Sequence, residues 1–145
     1  MTFSRSTTVK WQGTIMEGTG ALTAGTGAFS TNVTFPRRIG EPEGTTSPEE
    51  LLAGSHGVCF AMVVTGALGR AGGATKSTSV TCTVTADKGD AGINVVKSEL
   101  VVVAEGLTGI DAAAFDALVK DAKMKCPISK ALNPSIEITV STSVK

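Results

Sequence analysis

The chain is 145 residues long, with thirteen Lys and Arg against thirteen Asp and Glu and no net charge. It has length and apolar content enough for a core of its own, and is read as one domain over residues 1–145. No basic run exists to neutralise phosphates, so neither nucleic acid nor an anionic membrane surface is an expected partner.

Strands and turns are expected in the first third. "STTVKWQG" reads as a strand, followed by "GALTAG" and "GAFSTNVTF", set apart by glycines that favour turns. "PRRIGEPEGTTSPEE" reads as a loop on its Pro, Gly and charge. Ser47 then reads as a helix N-cap, with Pro48 at the first helical position and Glu50 at the third, the spacing of a capping box. That helix is expected to run to about Gly69. From Leu51 to Gly69 it contains no charged residue. The length approaches a membrane span, but Gly54, Ser55, His56, Gly57, Thr65 and Gly66 dilute it, and a span is not expected. Its centre, "VCFAMVV", is apolar on every side, and such a helix must be buried on every side. Two copies packed through this helix achieve that burial most simply, which predicts a homodimer.

"STSVTCTVTADKG" alternates with Val80, Cys82 and Val84 on one face, "GINVVKSELVVVAEG" is a second strand, and "DKGDAG" is the loop between them. Asp111 caps a second helix, "GIDAAAFDALVKDAKMK", with Ala114, Leu118 and Ala122 in one stripe and Phe115 and Val119 beside it. Cys126 before Pro127 reads as the N-cap of a short helix. "SIEITVSTSV" ends the pattern as a strand with Ile136, Ile138 and Val140 on one face. Runs of strands broken by two main helices predict an α+β fold with antiparallel sheet.

Three cysteines, Cys59, Cys82 and Cys126, with no CxxC, argue against a secreted disulfide scaffold. The polar N-terminus lacks the apolar core of a signal peptide, so the cytoplasm is the expected compartment. Two readings of Cys59 stand side by side. As a small hydrophobe in a buried helix it is inert. As a nucleophile it needs a cation, because about 3% of a thiol of ordinary pKa is ionised at neutral pH. Arg37 and Arg38 are the nearest supply, and Glu49 can orient one of them. Glu49 lies ten residues before Cys59, about 15 Å along a helix, so an arginine or a second chain must close the gap. Cys126 divides the same way, between a junction cysteine and a thiolate facing free backbone N–H groups. Cys82 belongs to the apolar face of its strand. His56, one turn before Cys59, reads as a packing or hydrogen-bonding residue, with a base or metal ligand as the alternative. A Ser-His-Asp triad finds no nucleophile elbow.

"GTTSPEELLAGSHGVCFAMVVTGALGRAGG", "DKGDAGINVVKSEL" and "GIDAAAFDALVKDAKMKCPISKAL" resemble the OsmC/Ohr family of thiol-dependent peroxidases. The "KWQG" start and the arginine before the helix loop resemble its OsmC branch. The resemblance implies an intertwined α+β homodimer, with the central helices buried between subunits and the sites at the interface. It implies that Cys59 is the peroxidatic cysteine, Cys126 the resolving cysteine, and Glu49 the residue that sets Arg38 over the thiolate. "RRIGEPEG" is one residue longer than the family spacing, which leaves Arg37 as the alternative arginine. The implied reaction is reduction of organic hydroperoxides through a Cys59 sulfenic acid and a Cys59–Cys126 disulfide, recycled by a lipoyl-type dithiol without metal or organic cofactor. The rival expectation is a non-catalytic stress-related or ligand-binding dimer with structural cysteines; a metal site from His56, Cys59 and Cys126 is a further rival.

Overall fold

The computed structural model describes residues 1–145 as an α+β chain of six strands and four helices. It divides into two compact units, Met1–Leu51 and Leu52–Lys145.

In the first unit, β1 (Thr7–Gln12), β2 (Thr19–Ala24) and β3 (Ser30–Val33) form an antiparallel meander in the order β1-β2-β3. Trp11 lies opposite Gly20, and a Cβ on Gly20 would stand 2.8 Å from the indole ring. The absence of a side chain there is what lets the ring lie on β2. The segment expected to be loop contains a short helix, α1 (Phe35–Ile39). Thr34 caps it, accepting from the Arg37 N–H, and Pro36 occupies the first turn, where no intrahelical donor is required.

Helix α2 (Pro48–Arg70) begins at the end of this unit and runs on into the second. The Ser47 hydroxyl accepts from the Glu50 N–H at 3.1 Å, as a cap should. The expected box is half-built: the Glu50 carboxylate accepts from the Thr46 hydroxyl instead. By length and composition alone α2 could cross a membrane.

The second unit holds the main core. β4 (Ser77–Gly89) and β5 (Gly92–Glu105) are a long antiparallel hairpin. Both strands extend further than expected, leaving only Asp90 and Ala91 between them, with Gly92 at φ 115°. The register shifts between Thr85 and Ala86, a bulge that accommodates an extra residue of β5. β6 (Glu137–Val144) pairs with β5 in parallel, so this sheet, β4-β5-β6, is mixed where an antiparallel one was expected. The cause is the crossover. α3 (Ala112–Lys125) and α4 (Pro127–Leu132) intervene and return the chain to the end where β5 began, as a parallel pairing requires.

Asp111 caps α3, accepting from the Ala114 N–H at 2.8 Å. The buried stripe of α3 is Phe115, Val119 and Ala122; the expected stripe is rotated, with Ala114 exposed, because the larger Phe115 and Val119 take the core. They pack with Phe60, Val64 and Leu68 of α2, Leu100 and Val102 of β5, and Ile138 of β6. Each such side chain contributes about 1.5–3 kcal/mol on burial. Val80 and Cys82 pack against this core from β4, and Val84, next in the same alternation, is half-buried.

Candidate functional site

Two pairs of side chains stand out, one in each unit. In the first, Arg38 on α1 donates to Glu49 in the first turn of α2. Its Nε lies 3.1 Å from both carboxylate oxygens and its Nη2 lies 2.5 Å from Oε1. This fork holds the guanidinium plane, which a lysine cannot do. The hydrogen bond from Arg38 holds the Glu49 carboxyl below its ordinary range, and the same bond raises Arg38. Arg37 pairs with Glu43 instead and is more exposed. Arg38 also borders an apolar groove of about 330 Å³, whose walls include Val9, Trp11, Leu22, Phe35 and Leu51.

The second pair is Cys59 and Cys126. Cys59 lies near the middle of α2 and is half-buried; Cys126 is fully buried at the junction of α3 and α4. Their sulfurs are 3.2 Å apart, and both thiols are free. Cys126 is the N-cap of α4 that its place before Pro127 suggests, with its sulfur accepting from the Ser129 N–H at 3.5 Å. Burial pushes the Cys59 thiol up; the Ile128 N–H acts against the rise, and the neighbouring Cys126 acts with it. Burial also acts against the Cys126 thiolate, but the Ser129 N–H and hydroxyl, the Cys59 thiol and the Ile128 N–H together outweigh it, and the Cys126 thiol is lowered. Free sulfurs this close, one half-exposed and one accepting a backbone N–H at a helix cap, suit a redox-active site.

His56 is fully buried one turn before Cys59. Its Nδ1 is 2.7 Å from Ser98 Oγ on β5 and its Nε2 is 2.7 Å from Ser129 Oγ on α4. Burial lowers its pKa, which favours the neutral ring. Both nitrogens are occupied, and no group of three or more His, Cys, Asp or Glu side chains is placed to hold a metal ion. Cys82 completes the array, with its sulfur 3.4 Å from Ser98 Oγ. The two serines are absent from the reading of the sequence. Ser98 had a signal, as the one polar residue on the β5 face that Leu100, Val102 and Ala104 bury.

A family model described as OsmC-like protein matches residues 40–141. The chain is 35% identical over 150 aligned positions to the peroxiredoxin OsmC of Escherichia coli K12, covering all of this chain and 99% of that protein. The Shigella flexneri peroxiredoxin OsmC matches equally. Among solved structures, an organic hydroperoxide resistance protein from Elizabethkingia anophelis superposes with a TM-score of 0.76 at 22% identity, over 99% of each chain. The organic hydroperoxide resistance protein OhrB of Bacillus subtilis gives 0.73 at 20% identity, over 97% of this chain and 98% of that one. The distant structures speak for the fold, and the closer curated sequences for kinship: this chain belongs to the OsmC/Ohr family, on its OsmC side.

Proposed function

We propose that this protein is a cysteine-based peroxidase that reduces organic hydroperoxides to alcohols. The observation that carries the reading is the 3.2 Å separation of Cys59 and Cys126, which a small movement closes to a bond. Passage of one hydrogen along that contact, from Cys59 to Cys126, moves the anion to the more exposed sulfur. The Cys59 thiolate attacks the outer oxygen of ROOH, the O–O bond breaks, and the alkoxide leaves as alcohol with the proton that Cys126 held, which returns Cys126 to its thiolate. Cys59 is then a sulfenic acid. The Cys126 thiolate attacks its sulfur, hydroxide leaves and takes a proton from solvent to become water, and a disulfide forms. A dithiol, of lipoyl type by family resemblance, returns both thiols by exchange.

Arg38, with its plane set by Glu49, stabilises the Cys59 thiolate and the charge growing on the departing oxygen. Donors of this kind are worth about 3–4 kcal/mol in other enzymes. The working protein is a homodimer acting as one domain over residues 1–145, in the cytoplasm. Support for the dimer comes from α2, whose Val58 and Met62 are 59% and 71% exposed in the single chain, where a second copy's α2 would cover them. The peroxide consumption assay with dihydrolipoamide tests the reading. Tert-butyl or cumene hydroperoxide is expected to be consumed faster than hydrogen peroxide. Cys59→Ser abolishes consumption, and Cys126→Ser permits one turnover without cycling. Full turnover by Cys59→Ser overturns the mechanism.

A further inference from the structure

The array around His56 is a line of hydrogen-bonding atoms, Cys82 Sγ, Ser98 Oγ, His56 Nδ1, His56 Nε2 and Ser129 Oγ, and the backbone N–H of the same Ser129 donates to the Cys126 sulfur at 3.5 Å. A neutral imidazole has one donor nitrogen and one acceptor nitrogen. A serine hydroxyl has one hydrogen to give. The line therefore has two self-consistent directions. In one, Ser129 gives its hydrogen to His56 Nε2, Nδ1–H donates to Ser98, and Ser98 donates to Cys82; nothing from the Ser129 side chain is left for Cys126. In the other, the Cys82 thiol donates to Ser98, Ser98 to Nδ1, Nε2–H to Ser129, and the Ser129 hydroxyl to the Cys126 sulfur.

We propose that His56 is a positioning residue for Cys126: its Nε2–H donates to Ser129 Oγ and so turns the Ser129 hydroxyl onto the Cys126 sulfur, holding that sulfur as an anion aimed at Cys59. The two ends of the line agree with this direction. Cys82 is raised by burial, which outweighs the opposing pull of the Ser98 contact, so the thiol keeps its hydrogen and has it to donate. Cys126 Sγ is already an acceptor, of the Ser129 N–H at 3.5 Å where it caps α4. The hydrogen bonds to His56 come from two serines and from no charged side chain. The titratable groups along the line are Cys82 from β4 and Cys126 from the α3–α4 junction, with Cys59 beyond it on the same helix as His56. Lys123, on the adjoining turns of α3, donates to the Ile138 carbonyl. The catalytic consequence, a resolving thiolate kept ready for the Cys59 sulfenic acid, rests on the peroxidase reading. The hydrogen-bond direction does not.

The chain has a single histidine, so its ring nitrogens can be observed without ambiguity. The experiment uses full-length Cys59→Ser protein with 15N and cysteine 13Cβ labels, and no peroxide. Long-range 15N–1H spectra above the pH of Cys126 ionisation are expected to show the Nε2–H tautomer; the Nδ1–H tautomer there overturns the proposal. The 13Cβ titration of Cys126 is expected to shift upward in Ser129→Ala, leaving about tenfold less thiolate at a pH below the midpoint, the size expected for losing one hydrogen bond to a charged acceptor. His56→Leu is expected to show a similar loss, whereas His56→Gln, which keeps an N–H donor towards Ser129, restores most of it. An unmoved Cys126 midpoint in folded His56→Leu, or equal shifts in Leu and Gln variants, overturns the proposal. If His56→Leu does not fold, the tautomer in the histidine-containing protein decides. These readouts do not involve turnover, so the proposal can fail while the peroxidase reading stands, and the reverse.

Discussion

Replacing one sulfur of the Cys59–Cys126 pair at a time with alanine should move the remaining thiol in opposite directions. Alanine offers neither charge nor hydrogen, so each substitution removes one side of the contact. Cys126 raises Cys59, and Cys59 lowers Cys126. In Cys126→Ala, Cys59 should therefore ionise at lower pH than it does beside an anionic Cys126; in Cys59→Ala, Cys126 should ionise at higher pH. The separation of the two ionisations in the intact pair follows from the 3.2 Å distance. Coulomb's law at that distance gives about 1.3 kcal/mol in water and about 5 kcal/mol at an effective dielectric of about 20, a splitting between about 1 and about 4 pH units. The partial exposure of Cys59 places it towards the lower figure. Thiolate absorbance at about 240 nm, or cysteine 13Cβ shifts, resolve the two steps across a pH series; the apparent values belong to the pair and the variants apportion them. A single unsplit transition, with variants that titrate where the intact pair does, would refute the assignment of a shared hydrogen between these sulfurs.

Glu49→Gln should lower stability to urea by about 1 kcal/mol near neutral pH, in the range of partly exposed ion pairs. Because the folded-state pKa of Glu49 is depressed, its contribution is complete above the unfolded value and fades as pH falls through the folded one, so the gap between variant and parent should close as the pH is taken below the ordinary carboxylate range. Phe115→Ala should cost about 3–5 kcal/mol in the same measurement, since the ring is fully buried among α2, β5 and β6. Gly20→Ala should cost about 1–3 kcal/mol and shift the fluorescence of the single tryptophan, because the new methyl meets both the Trp11 ring and Val33.

The parts of the fold that the sequence discloses are those written in neighbouring residues. Ser47, Asp111 and Cys126 all cap the helices expected of them, and Val80 and Cys82 pack on the core as their alternation implies. α1 escaped notice because Pro36 and Gly40 were read as loop markers, although Thr34 before a first-turn proline is itself a helix start. The parallel pairing of β6 depends on the path of the chain through α3 and α4, and alternation along a strand says nothing about direction. The same limit governs the site. Cys59 and Cys126 carry a recognisable family pattern, but the partners of His56 lie 42 and 73 residues away, and only folding brings them to it.

The bulge in the β4–β5 hairpin has a consequence for folding errors. Between Lys97 and Glu99, Ser98 is the residue that meets the imidazole. A slip of β5 by one position would drive an ammonium or a carboxylate into a sealed apolar space beside an uncharged ring, with nothing there to compensate it. The two flanking ions make the misaligned sheet untenable, and the bulge marks the one register in which they stay outside. Correct wiring of the histidine is thus protected by the side chains that point away from it.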